Sequence, residues 1–225
     1  MKENPFYRLH GFLVTVCLAG TLALPSGAGG AQAPHLGGSA EIRNIPCPFI
    51  ENRGQLDKEV RFYSQTAGGR VFVTGKGEIV YDFARREKAG TVSGCVVKET
   101  LAGGGIRGVQ GELKTPATVS VFKGKDPSRW LSSLSSYEYV SFGDVYKGIG
   151  MKLRAREKTL EKIFYVQPGA DPRIIRVKLE GARGLSVNTK GALLVDTEPG
   201  KIVFSPPVAY QQRDDEKKPV SVKYL

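Results

Sequence analysis

Short runs of alternating apolar and polar residues recur along most of the chain, separated by Gly, Pro, Asn and Asp. In residues 59–64 (EVRFYS), Val60 and Phe62 share one face, as alternate positions of a strand do. Residues 70–74 (RVFVT) and 78–83 (EIVYDF) flank Gly75-Lys76-Gly77, the mark of a hairpin. Strands are expected over 95–101, 118–122 and 137–142, and residues 150–166 read as a hairpin turning near 157–159. The series continues over 174–180, 185–188, 192–196, 201–205 and 220–225. Val, Ile, Tyr and Phe fill these runs, and no apolar repeat of period 3.6 reaches a useful length. The pattern predicts an all-β protein, an antiparallel β-sandwich. Two small packed β subdomains or a barrel-like sheet are the alternatives.

One apolar run breaks the alternation. Residues 11–24 (GFLVTVCLAGTLAL) follow Lys2 and Arg8 and precede Pro25 and a stretch of small residues. That three-part layout is the layout of a secretory signal peptide. As a helix the run would span only about 21 Å, short of a ~30 Å hydrocarbon core. Ala31-Gln32-Ala33 fits the small-x-small cleavage rule, and Pro34 behind it makes a cut after Ala28 the alternative. No later segment is apolar enough to span a membrane. The expected organisation is a signal peptide over 1–33, a flexible leader over 34–42 and a β-sandwich domain over 43–225. The expected location is extracellular or at the cell surface, with the periplasm as a further option.

Composition narrows the chemistry. The chain has 33 Lys and Arg against 22 Asp and Glu, a net charge of +11, and 28 Gly among 225 residues. Its two histidines are His10, within the signal, and His35, in the leader. A nucleophile–histidine device needs a positioned imidazole, so these classes of hydrolase are excluded, as is histidine-ligated zinc or iron. Phosphate-loop, nucleophile-elbow, zincin and calcium-loop motifs are missing. The glycines at 103–105 read as a turn. No cofactor or metal is expected. Glycoside hydrolysis would need two facing carboxylates. Glu51, Asp57, Asp144, Asp171 and Asp196 are candidates by type, but no spacing pairs them. Outside the signal, Cys47 and Cys95 read either as a disulfide, suited to an exported chain, or as two separate small hydrophobes.

Four clusters stand out in order. They are residues 49–55 (FIENRGQ), residues 122–130 (FKGKDPSRW), residues 144–149 (DVYKGI) with Leu160-Glu161 behind them, and residues 168–172 (PGADP) followed by 180–182 (EGA) and 207–211 (PVAYQ). Together they resemble the amino-terminal domain of unknown function found upstream of seven-bladed β-propeller (SBBP-type) repeats in exported bacterial proteins. The resemblance covers roughly residues 45–225. It departs from the family pattern at Ser120-Val121 and Lys162-Ile163. It implies a secreted or cell-surface β-rich module and no activity. The usual propeller repeats are not among these residues, so the chain reads as a stand-alone copy or a fragment.

The motif residues have structural readings first. Glu51, Asn52, Gly54 and Gln55 suit a polar turn, with a ligand site as the sharper alternative. Trp130 follows a Pro-containing turn and is expected as a core anchor, with a sugar-stacking platform as the alternative. In residues 151–158, Lys152, Arg154, Arg156 and Lys158 alternate with Met151, Leu153 and Ala155. Over 174–180, Arg176 and Lys178 alternate with Ile175, Val177 and Leu179. If the two strands neighbour each other, six cations form one outer patch. It is a solvated face or a site for anionic surface polymers, the latter bound electrostatically. Nucleic acid is not expected as a specific partner, because no aromatics interleave with the cations. The chain is expected to be a non-enzymatic secreted or cell-surface interaction module, normally a companion of β-propeller repeats. A carbohydrate- or polyanion-binding module is the alternative.

Overall fold

A computed structural model describes residues 47–66, 69–86, 92–156, 159–198, 200–213 and 216–225, together with the backbone of Phe12–Ala19. The rest of the expected signal peptide and the whole leader, His35 included, lie outside the described residues, as do Glu157 and Lys158.

The described chain is all-β, as the alternation predicts. In order the strands are β1 (Phe12–Ala19), β2 (Phe49–Glu51), β3 (Val60–Thr66), β4 (Gly69–Thr74), β5 (Ile79–Arg86) and β6 (Val92–Leu101). Then come β7 (Gln110–Val121), β8 (Leu131–Tyr146), β9 (Ile149–Ala155), β10 (Thr159–Val166) and β11 (Val177–Glu180). The last are β12 (Gly184–Val187), β13 (Leu193–Thr197), β14 (Gly200–Phe204), β15 (Val208–Arg213) and β16 (Glu216–Val220). Two short 3-10 turns, Pro127–Arg129 and Pro172–Ile174, start behind the capping carboxylates of Asp126 and Asp171.

One large antiparallel sheet runs β11-β6-β5-β4-β3-β2-β8-β9-β10-β1-β15-β16, with β7 also paired to β8. The other sheet is β12-β13-β14. The large sheet curls. Glu99 of β6 and Lys162 of β10 stand far apart in the strand order, yet their side chains meet. The small sheet packs on the same core: Phe204 meets Tyr81 edge-to-face at 6.3 Å. Phe49, Val73, Val97, Val140, Phe142, Ile149, Leu153 and Val195 are fully buried there. Apolar burial of this kind is the main favourable term in folding.

The predicted hairpins form where glycine chemistry asks for them. At the β4–β5 turn, Thr74 and Glu78 are bridged by a 3.0 Å backbone bond and Gly77 takes φ +78°. A side chain on Gly77 would also meet Ile106. Other expectations shift. Residues 221–225 are not a strand; the terminal strands are β15 and β16 instead. Val177, expected inward, is 41% exposed, because β11 is a four-residue strand at the end of the sheet.

Within the expected signal peptide, Phe12–Ala19 forms a strand between β10 and β15, antiparallel to both. Its apolar run suits an interior strand of a sheet as well as a signal core, and periodicity alone does not separate the two.

Candidate ligand-binding surfaces

The β9 ladder folds as its alternation requires. Met151, Leu153 and Ala155 are buried, and Lys152, Arg154 and Arg156 lie on the opposite face. That face is not a bare cationic patch. Lys152 Nζ binds the Glu112 carboxylate from β7, and Arg154 binds Glu138 from β8. Arg156 Nε lies 3.9 Å from Glu161 of β10. Two tyrosines join them: Lys152 Nζ stands 5.4 Å from the Tyr165 ring centre, and Arg154 Cζ stands 5.1 Å from that of Tyr139. Burial opposes ionisation of Glu112, but hydrogen bonds from Lys152 and Ser141 outweigh it and hold the carboxyl below its usual pKa. Burial pushes the Tyr139 and Tyr165 hydroxyls up.

Arg176 and Lys178 do not join this face. In the strand order six strands separate β11 from β9, and Lys178 pairs with Glu180 on its own strand at 2.9 Å. The two strands are therefore not neighbours in the sheet, the condition on which the six-cation patch depended: similar alternation in two strands does not make them neighbours. The partner tyrosines, Tyr139 and Tyr165, sit directly opposite or diagonal to the cations across the register. Sequence reading missed them because the pairing of β8, β9 and β10 had to be known first.

The turn at 52–55 is self-contained. The Asn52 amide donates to the carbonyls of Asp57 at 2.7 Å and Val60 at 2.8 Å. Its oxygen accepts from the N–H groups of Gly54 and Leu56, both at 3.1 Å. Gln55 donates to the Glu51 carbonyl at 2.8 Å and accepts from the Arg53 N–H at 2.7 Å. Gly54 takes φ +111°. The polar groups of Asn52 and Gln55 are spent on the loop, which is the structural reading of that motif.

Trp130 is not a core anchor. It is 43% exposed, and Phe122 beside it is 67% exposed. The two close the β7–β8 connection and meet edge-to-face at 5.4 Å. The indole N–H donates to the Gly124 carbonyl at 3.2 Å, which fixes the ring's tilt. Asp126 caps the intervening turn by accepting from the Ser128 hydroxyl at 2.8 Å and its N–H at 3.0 Å. Those bonds hold the Asp126 carboxyl below its usual pKa. Lys123 and Lys125 are exposed on the same connection. The Pro-bearing turn that suggested an anchor instead leaves the aromatic pair partly in solvent.

No disulfide joins Cys47 and Cys95. Cys95 is on β6, and Cys47 precedes β2, with β3, β4 and β5 between those strands in the sheet. Strand spacing of about 4.8 Å puts the two beyond a disulfide's Cα reach of roughly 7 Å along the sheet. Both pack against the core as small hydrophobes. The candidate acids are dispersed: Asp171 caps a turn and binds Arg173 at 2.9 Å, and Asp196 pairs with Lys201 at 3.3 Å. Among the described residues, no group of three or more His, Cys, Asp or Glu is placed to hold a metal ion.

The site that sequence reading missed is internal. Glu99 and Lys162 are 1% and 3% exposed and bind each other, and the Tyr81 hydroxyl donates to Glu99 at 2.8 Å. Burial and the Glu99 charge push the Tyr81 hydroxyl far above its usual pKa. One signal was legible. Lys162 shares the parity of Leu160, Phe164 and Val166, and Glu99 that of Val97, so each charge falls on the inward side of its strand.

These features define a β-sheet protein in which the cations of the β9 ladder and the buried Lys162 each stand beside a carboxylate. A family model described as a domain of unknown function (DUF7948) matches residues 49–225, and the chain belongs to that family. No curated protein and no solved structure matches it. Among the described residues, no helix is long and apolar enough to cross a membrane.

Proposed function

We propose that this chain is a non-enzymatic, exported interaction module that stands beside β-propeller repeats and contacts surface glycans through Phe122 and Trp130. The observation that carries this reading is the exposed aromatic pair on the β7–β8 connection. Large apolar rings held out in solvent commonly mark a recognition site. A ring fixed by its own N–H bond offers a flat face at low entropic cost. The C–H face of a pyranose matches such a ring, and Lys123 and Lys125 would favour acidic sugars.

The β9 ladder supports polyanion binding less well. Lys152, Arg154 and Arg156 each sit beside a carboxylate, so a polyanion would have to displace internal partners. Export is supported by the layout of residues 1–33, and the propeller context by the motif series between 49 and 211.

Binding to an array of bacterial surface polysaccharides, repeated with Trp130→Ala and Phe122→Ala, tests the glycan site. Each truncation is expected to weaken binding by about tenfold or more, the usual effect of truncating an aromatic anchor at an interface. Wild-type binding that both variants retain in full removes the site.

A further inference from the structure

We propose that the family domain contains a strand-wide slot between β10 and β15, which in the exported protein accepts an extended segment, apolar on its inward side, of another exported polypeptide. In this structure the slot holds β1, whose eight residues run antiparallel to β10 from Phe12 opposite Val166 to Ala19 opposite Thr159. On its other side, Phe12–Thr15 pair with residues 208–211 of β15. In the strand order of the described residues, the β15–β16 hairpin joins the rest of the large sheet through β1.

Two observations mark β1 as separable from the domain. The family model covers residues 49–225 and leaves Phe12–Ala19 outside it. The same residues form the apolar centre of the expected signal peptide, so export would remove them. The inference rests on that exported reading, because cleavage is what vacates the slot. Once β1 leaves, β10 and β15 lie about 10 Å apart, two strand spacings, too far to bond to each other. Each then presents a row of unpaired N–H and C=O groups, the template on which strand addition occurs.

The flanks specify the occupant's chemistry. The inward side chains of β10 next to the slot are Leu160, Phe164 and Val166, together with Lys162, whose charge Glu99 already matches. The outward ones are Thr159, Glu161, Ile163 and Tyr165, and β15 adds Val208 and Tyr210; Tyr165 and Val208 are open to solvent. A charge facing Leu160, Phe164 or Val166 would lose water without a partner. The segment now in place, FLVTVCLA, carries none. Main-chain bonds would supply affinity, and the apolar inward flank would exclude strands that carry a charge on that side.

Intact-mass measurement on the secreted protein establishes whether residues 12–19 are present. Hydrogen exchange then follows the slot-facing amides of β10 and β15. The probes are a synthetic peptide of residues 12–19 with solubilising ends and a control carrying Val14→Pro. In the cleaved protein these amides should exchange fast, and the peptide should slow them by about tenfold or more while the control leaves them unchanged. Slow exchange before any peptide is added means that β10 and β15 have closed on each other, which overturns the slot. Fast exchange that the peptide does not slow overturns it too. If the mass shows residues 12–19 retained, the exported reading fails on its own, and the slot is tested within the chain. Val14→Pro in the full protein should then expose the same amides, and unchanged protection overturns the slot.

Discussion

The β9–β10 hairpin carries cation–carboxylate pairs on both faces. On the outer face, Lys152 meets Glu112 and Arg154 meets Glu138, with roughly a quarter to a third of each side chain in solvent. On the inner face, the side chains of Lys162 and Glu99 are 4% and 1% exposed. The chemistry is the same, and the access of water differs. Outside, each ion keeps much of its hydration when its partner is removed, so a pair contributes about 0–1 kcal/mol. Inside, neither ion can recover its hydration. Removing one partner strands the other, at a cost of about 3–5 kcal/mol. The inner pair is therefore an obligation of the core rather than a large net stabiliser.

Breaking the inner pair from one side is the most severe test of this contrast. Glu99→Leu should lower stability by about 3–5 kcal/mol. At about 2–4 °C per kcal/mol for a chain of this size, Tm should fall by on the order of 10 °C in thermal unfolding. Adding Lys162→Met should restore most of the stability, because the stranded charge is gone. A double variant as unstable as the two single effects added together would show that shape, not charge, governs the site.

Tyr81→Phe probes the same site more gently. It removes the hydroxyl that donates to Glu99 and should cost about 1 kcal/mol at neutral pH. It should also change the alkaline limb. The folded-state pKa of Tyr81 is raised well above the ordinary tyrosine value of 10.0. Above that pH the unfolded chain releases a proton that the folded chain keeps, so stability falls as pH rises toward the folded pKa. Denaturant unfolding of the wild type should therefore weaken more steeply above about pH 10 than that of Tyr81→Phe. Parallel limbs would count against this role for the hydroxyl.

The outer face should respond least. Lys152→Gln and Arg154→Gln should each cost under about 1 kcal/mol. The Glu112 carboxyl lies below its usual pKa, so its contribution is present above the unfolded value and disappears as pH falls through the folded one. Lys152→Gln should flatten that acid limb slightly in denaturant titrations. On heparin, a variant with Lys152, Arg154 and Arg156 all changed to Gln should elute at nearly the wild-type salt. A large drop would show that the ladder cations are available to polyanions despite their carboxylates.

The two faces also differ in how readily the sequence reveals them. Alternation in residues 151–155 places Met151 and Leu153 inward and Lys152 and Arg154 outward, because side-chain direction in a strand is a local consequence of the pleat. The same rule places Lys162 and Glu99 inward, yet it does not say that they face each other. They are 63 residues apart, and only the curl of the sheet joins them. Trp130 fails for a related reason: the turn of Asp126-Pro127-Ser128 is readable, but the direction in which it projects the ring is not. Cys47 and Cys95 could be counted but not spaced. Phe12–Ala19 is the hardest case, since one apolar run serves equally as a signal core and as a strand paired on both sides.

The all-β class, most strand positions, the glycine turns and the self-bonded loop at Asn52 follow from the order of residues alone, because each depends on interactions within a few positions. The neighbour relations do not: the six strands between β11 and β9, Glu99 against Lys162, and the place of β1 between β10 and β15 emerge in the folded chain. Those relations depend on long-range pairing around a curled sheet. Many strand orders satisfy the same local alternation, and the choice among them is made by the closure of one shared core.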